Sequence, residues 1–535
     1  MKITTVNESL SVSDQITPDD LPELADAGVK LIVCNRPDNE ASQQPSFASI
    51  EQAAQPLGIE AVHIPFTADG MSQQQVDELV ELVATGKKIH AYCRTGNRSM
   101  KLWNASQKAG GKSAQPTQSS SAKFAKPSFD VVVVGAGSGG IAIASSLLKR
   151  EPDLRIALID PSQEHYYQPG WTMVGGGIFD IASTKRPTQS VIPRGVTWVN
   201  KAVTHFSPDE DKVHLDDGSE LHYRQLVVAP GLVLNWKGIE GLEESLGSNG
   251  VTSNYLYDLA PYTWDLVQQL KKGKAIFTQP PMPIKCAGAP QKALYLSADH
   301  WFKENRISDV DVHFFNAGPV LFGVEAFVPT LKSYMEKYQA NLHFSHTLIK
   351  VDGPNKTAWF KTKNEAGDEV IVDTEFDMLH ACPPQCAPDF ISNSVLSDSA
   401  GWLDVDQVTL RHTRYHNIWG LGDIVNTPNA KTVAAVRKQV PVVADNLCNA
   451  LNNKAPSVGY DGYGACPLTV ERGKIVLAEF GYGGKLMPTF PGWLNTATQA
   501  TTLAWLLKAN MLPAVYWQVM LKGREWLVAP QQLSQ

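Results

Sequence analysis

The stretch Phe129–Gly140, FDVVVVGAGSGG, restricts the folds open to this chain more than any other. Its opening is a continuous, largely β-branched run, as in a strand buried on both faces of a parallel sheet. Gly135-Ala136-Gly137-Ser138-Gly139-Gly140 follows as a GxGxxG turn, and the apolar stretch Ile141–Arg150 continues with helical spacing. Strand, glycine turn and helix in this order hold a dinucleotide. Gly135, Gly137 and Gly140 permit the tight turn and let backbone N–H groups approach a pyrophosphate at the helix N-terminus. A second strand, Arg155–Asp160, ends about 20 residues further on at Asp160, where an acidic side chain holds ribose hydroxyls.

A chain of 535 residues is too long for one core. Residues 104–128, NASQKAGGKSAQPTQSSSAKFAKPS, carry almost no large apolar side chains and read as a flexible tether. They divide an N-terminal module, residues 1–103, from a larger one, residues 129–490, with a C-terminal segment at 491–535. In the first module, Lys30–Asn35 and Lys88–Cys93 have strand length and Pro45–Gln55 and Ser72–Thr85 have helical spacing, an alternation that suggests a small α/β sandwich. In the second, further strands are expected at Gln225–Ala229, Ala275–Thr278, Asp311–Phe315 and Asn417–Gly420. The overall class is α/β. A net charge of −7 argues against a nucleic-acid partner.

Leu226–Gly231 (LVVAPG) resembles the second FAD motif of flavoproteins with two dinucleotide domains, ending on Gly231. Trp419–Asp423 (WGLGD), with Gly422 and Asp423, resembles their third, in which the aspartate reaches the ribityl chain. The resemblance implies FAD, bound by a discontinuous domain of about residues 129–235 and 400–490, followed by a second Rossmann-like domain. A user of NAD(P)H needs a second glycine turn midway. The segment expected to hold it, Asp311–Gly323, keeps only Gly318 with Pro319 behind it, so a pyrophosphate would find no cradle.

The N-terminus lacks the order of a secretory signal, so a reducing cytoplasm is expected, where the seven cysteines are not a disulfide framework. No cysteine lies between Cys93 and Cys286, which excludes the usual CxxxxC of disulfide reductases. Cys286 stands in a Gly/Pro-rich loop beside Lys285, expected to lower its pKa, and Cys466 in another turn-like segment. PIKCAGAPQKALYLS, GYGACPLTVERGKIVLAEFGY and HYYQPGWTMVGGG resemble the corresponding segments of sulfide:quinone oxidoreductases, of the class that includes the mitochondrial enzymes. The resemblance runs from about Phe129 to the end. It implies a redox pair of Cys286 and Cys466 at the flavin. It also implies sulfide as substrate, a cysteine persulfide, a small sulfur acceptor such as a thiol or sulfite, and ubiquinone as electron acceptor. Lys431 stands where that family has a lysine near the flavin. Cys382 and Cys386 form a CxxxC without a second pair, and no metal site is expected. Cys34 and Cys448 read as core residues; His165, Tyr166 and Tyr167 read as lining the flavin pocket.

In the first module Cys93 ends an apolar strand, and Arg98 follows after four intervening residues (CRTGNR). Such a loop gathers backbone N–H groups and a guanidinium around a thiolate. The segment resembles phosphatase-like, sulfurtransferase-type domains fused to metallo-β-lactamase-type hydrolases, which implies Cys93 as nucleophile and Arg98 as anion holder. The loop is one residue shorter than the C-x5-R of tyrosine phosphatases. Asp69 is the one tempting general acid for a phosphatase, and a sulfane-sulfur acceptor needs none.

No apolar run reaches the length of a membrane span. The Trp- and Leu-rich stretch Thr501–Val528, with Lys508, Lys522 and Arg524 at intervals, suits peripheral contact with the cytoplasmic face of the inner membrane, or an amphipathic cap on a domain. Two rival readings stay open, an NADH:quinone oxidoreductase and a membrane-bound persulfide sensor without turnover. The oligomeric state also stays open.

Overall fold

The computed structural model describes residues 3–7, 9–38, 40–41, 44–67, 71–110, 129–492 and 498–533. The chain divides into two compact units on either side of residue 124.

The first unit is built on a five-stranded sheet. Its strands are β1 (Ile3–Asn7), β2 (Leu10–Ser13), β3 (Leu31–Cys34), β4 (Glu60–His63) and β5 (Ile89–Tyr92), in the order β1-β2-β5-β3-β4. Only β1 runs antiparallel to its neighbour. The helices are α1 (Leu21–Asp26), α2 (Phe47–Ala54), α3 (Gln73–Ala84) and α4 (Asn97–Gly110). Alternation along β3 sends Leu31 and Val33 to one core layer and Ile32 and Cys34 to the other, so the sheet is covered on both faces. Ser72 and Gln75 cap α3 reciprocally. Helix α4 continues through residues 104–110, into the stretch read above as tether: Ala, Ser, Gln and Lys are compatible with a helix once its first two turns are anchored by Leu102 and Trp103. Asp69 lies outside the described residues.

The second unit opens with β6 (Phe129–Val134), α5 (Ser138–Arg150) and β7 (Ile156–Ile159). The central parallel part of its first sheet runs Val196–Val199, β7, β6 and Glu220–Val228. The late strand Ile418–Gly420 pairs in parallel with Leu226–Val228 and so returns the chain to this sheet. A second, all-parallel sheet has the order Val251–Thr252, Met378–His380, Gly273–Gln279, Val310–Asn316, Asn341–Phe344. Here the topology moves one expectation. The strand that feeds a crossover helix at the centre is Gly273–Gln279, followed by the helix Ala289–Lys303. The place of a second nucleotide cradle is therefore Pro280–Gly288, one strand earlier than Asp311–Gly323, and the loop there carries Cys286 in place of a glycine turn. The hairpin Gly464–Glu471/Lys474–Phe480 packs Cys466, Leu468 and Val470 into the same core as that helix.

A helical run at 502–522 closes the fold, with wide turns of π type at Leu507–Met511 and Val515–Val519 around Pro513. Among the described residues no helix is long and apolar enough to cross a membrane.

Candidate functional site

The glycine turn after β6 is shaped by what surrounds it. Gly135 has φ +97°, and a Cβ there would lie 2.5 Å from Ala229 O; a Cβ on Gly140 would run into Gly135 O. Gly137, by contrast, faces open space and caps α5, and Gly231 is likewise open, at φ +76°. Two glycines thus allow close backbone packing while the other two leave room for a ligand. Asp160 accepts from Ala136 N at 2.6 Å and from Ser162 N at 2.8 Å, and burial raises its pKa. Just past Ile418–Gly420, Gly422 takes φ +85° and donates to Gln439 Oε1 at 2.8 Å, next to the half-buried Asp423. These loops meet one another: Leu421 packs over Gly139, and its N–H donates to Val228 O at 3.3 Å. An open turn over a helix N-terminus, flanked by half-buried carboxyls from two strand ends, fits a dinucleotide such as FAD.

Lys431 ties this cradle to the cysteines. Its ammonium donates to Asp423 O at 2.7 Å and Val425 O at 2.8 Å and sits 4.3 Å from the Trp402 ring centre. Burial lowers its pKa to about 8. Its carbonyl accepts from Cys286 N at 2.8 Å.

Cys286 adopts a left-handed conformation, φ +53°, directly before the helix Ala289–Lys303. That turn brings its sulfur against Cys466 of the hairpin, the two thiols sharing a hydrogen bond. Lys292, in the first turns of the helix, donates to Cys286 Sγ at 3.1 Å. The Cys466 S–H and the Lys292 ammonium together hold Cys286 well below the usual thiol range, whereas donating that bond and burial push Cys466 well above it. The negative charge of the pair therefore resides on Cys286, beside the Lys292 ammonium. Lys285, expected to be the activating cation, turns away: its Nζ donates to Gln168 Oε1 at 2.6 Å. Lys508, read above as a surface lysine, is buried in the same place. It donates to Pro169 O at 3.0 Å, its charge acts on Cys286 and Lys292, and burial takes its pKa down to about 7. Sequence spacing held no signal for Lys292, which only the left-handed turn at Cys286 brings onto the sulfur, and none for Lys508.

Cys382 is buried behind Tyr255, whose hydroxyl donates to Lys285 O at 3.2 Å, and burial raises its pKa to about 12; Cys386 is exposed. The two face different surroundings.

In the first unit Cys93 is buried at the end of β5, and its sulfur accepts from Arg98 N at 3.3 Å as α4 begins. The Arg98 guanidinium lies in this loop, with Nη1 on Phe66 O at 2.8 Å and Nη2 on Glu40 at 2.7 Å. Glu40 also binds Arg36, and Arg98 foremost holds its carboxyl below the usual range.

Residues 129–264 match the pyridine nucleotide-disulphide oxidoreductase model, and residues 2–110 match that of the phosphatase-like domain of beta-lactamase hydrolase-like protein. The mitochondrial sulfide:quinone oxidoreductase of Mus musculus is 37% identical over 399 residues, covering 75% of this chain and 88% of its own length. That of Dictyostelium discoideum is 40% identical over 404 residues, covering 74% and 86%. The crystal structure of the sulfide:quinone oxidoreductase from Aquifex aeolicus superposes with a TM-score of 0.62 at 19% identity, over 76% of this chain and 97% of that one, which shows a shared fold. With a phosphatase-like domain ahead of its two Rossmann-like domains, this chain belongs to the sulfide:quinone oxidoreductase family.

Proposed function

We propose that sulfide is oxidised at the Cys286–Cys466 pair, and that FAD, held by Gly135, Gly137, Gly140, Asp160, Gly231, Gly422, Asp423 and Lys431, supplies the two-electron chemistry that carries the electrons on to ubiquinone. One observation carries this reading: the dithiol stands at a helix N-terminus where a second nucleotide cradle would be, with Lys292 on one of its sulfurs.

The asymmetry of the pair gives the order of events. With the two sulfurs joined as a disulfide, hydrosulfide attacks Cys466 Sγ and the S–S bond breaks toward Cys286. That sulfur is the better leaving group because the Lys292 ammonium donates to it and stabilises its charge. Cys466 keeps the incoming sulfur and its proton as a persulfide, and Cys286 departs as thiolate with the electron pair. A thiolate or sulfite then attacks the outer sulfur and leaves Cys466 as thiolate; loss of two electrons from the pair restores the disulfide. Lys431 holds the loop that carries Cys286 to the Asp423 strand end, keeping this thiolate beside the cofactor cradle.

Cys93 is read as a sulfane-sulfur acceptor on the same chemistry, its sulfur held by the Arg98 amide at the start of α4. The exposed Leu503, Leu506 and Met511 of the C-terminal run supply peripheral contact with the inner membrane. The test is to treat the holoenzyme with one equivalent of sulfide under anaerobic, quinone-free conditions, trap with an alkylating agent and map peptides. One extra sulfur on the Cys466 peptide supports the order given; extra sulfur on the Cys286 peptide reverses it.

A further inference from the structure

The C-terminal run does more than cover a core. Tyr516, buried in it, places its hydroxyl 2.7 Å from His165 Nε2 and 3.0 Å from Ser138 Oγ, the first residue of α5. His165 Nδ1 lies 3.0 Å from Ala136 O, inside the glycine turn, and Ala136 N donates to Asp160 at 2.6 Å. A carbonyl only accepts, so Nδ1 must carry the imidazole proton. Burial keeps this ring neutral, with its pKa lowered to about 4, so Nε2 accepts from the Tyr516 hydroxyl, which in turn accepts from Ser138. The polarity of the chain is thereby set from Ser138 through Tyr516 and His165 to Ala136. It closes a ring of side chains around the backbone of the turn.

The run grips the outer face of α5 as well. Ser145 Oγ donates to Leu521 O at 2.7 Å, Glu525 pairs with Arg150 at 2.6 Å, and a Cβ on Gly523 would lie 2.7 Å from the Ser145 backbone. The Arg186 guanidinium stacks 4.1 Å from the Trp517 ring centre. At its other end the same run buries Lys508, which donates to Pro169 O, and leaves Leu503, Leu506 and Met511 exposed.

We propose that Tyr516 and His165 are positioning residues that couple occupancy of the Gly135–Gly140 turn to docking of the C-terminal run, so that the chain holds its apolar edge more firmly in one pose when the cofactor is loaded. This rests on the reading of that turn as a flavin cradle. A pyrophosphate over Gly137 meets Ser138 and Ala136 in the positions that the ring holds, so each event removes freedom the other would have to remove. Linkage makes the effect reciprocal: the factor by which docking tightens FAD is the factor by which FAD tightens docking. One lost hydrogen bond in such a ring corresponds to about three- to tenfold in that factor.

The experiment measures hydrogen exchange in peptides spanning 512–525 of the full chain, as holoenzyme and after FAD removal, and FAD affinity of the stripped protein by flavin fluorescence. Wild type is expected to exchange about three- to tenfold more slowly in this segment with FAD bound. Tyr516→Phe is expected to bind FAD about three- to tenfold more weakly and to lose most of the FAD-dependent difference. Ser138→Ala keeps the buried ring of Tyr516 and cuts the chain from the other side, so it reports even if Tyr516→Phe folds poorly. A hydroxyl with a merely structural role would speed exchange equally with and without FAD, and that outcome overturns the proposal. So does wild-type exchange indifferent to FAD. A wild type that takes up no FAD instead overturns the reading of the cradle itself.

Discussion

Cys286 and Cys466 share one hydrogen bond, and the strongest neighbouring interaction, from Lys292, favours charge on Cys286. The Lys292 ammonium donates directly to Cys286, while Cys466 sits in the apolar core of the hairpin, where the Gly288 amide at the helix N-cap offsets its burial only in part. Lys292→Met should therefore raise the pKa of Cys286 and leave Cys466 buried as before. Each unit by which that pKa exceeds the working pH costs about tenfold in thiolate, so the pH profile for alkylation of the reduced protein at Cys286 should shift upward, with the rate recovering at higher pH. An unchanged profile would remove Lys292 from the account. This residue was hidden in the sequence for a physical reason. Lys285 is adjacent to the thiol, but the left-handed turn at Cys286 points the two side chains apart, and the helix that follows brings the sixth residue back onto the sulfur.

Elements carried more of the fold into the sequence than single residues did. The run FDVVVV, the glycine turn and the helix after it are local, and the period and the turn chemistry state them directly. The place of the second cradle was misassigned because it depends on strand order, and only the pairing of Gly273–Gln279 with Met378–His380 on one side and Val310–Asn316 on the other reveals which strand is central. Composition likewise hid the last turns of α4. In the first unit, β5 carries a buried titratable group that makes a further claim. His90 bridges Ser11 Oγ at 2.8 Å and Ser13 Oγ at 2.9 Å, and burial lowers its pKa from 6.5 to about 4. Between those values the unfolded chain binds a proton that the folded unit does not, so stability present above pH 6.5 is lost as the pH falls toward 4. The loss is bounded by about 3 kcal/mol. Calorimetry of the full chain should show the first unit melting earlier at pH 5 than at pH 7.5, with the difference reduced in His90→Gln. A first-unit midpoint with the same pH dependence in both proteins would show that other groups govern it.

The whole molecule joins two thiol centres along one chain, Cys93 in the first unit and the dithiol in the second. Cys93→Ser should leave reduction by sulfide unchanged, and after turnover with radiolabelled sulfide it should abolish labelling of the first unit alone. Labelling that persists would put the sulfur on another residue of that unit, and slowed reduction would give Cys93 a part in the oxidation itself. The segments around Cys286 and Cys466 made the family legible by resemblance, while their meeting across a long sequence separation belongs to tertiary structure and no local pattern states it. The same holds for Lys508 and Tyr516: the stretch that carries them reads as a membrane-surface segment or an amphipathic cap, yet one donates to Pro169 O and the other reaches the glycine turn.

The central claim is that electrons enter this protein from sulfide through the dithiol. Stopped-flow mixing of the anaerobic holoenzyme with sulfide, and separately with NADH, tests it on wild type, Cys286→Ser and Cys466→Ser. Rapid bleaching of the flavin by sulfide, lost in both variants, is the predicted result. Bleaching by NADH that is indifferent to both substitutions would contradict the account.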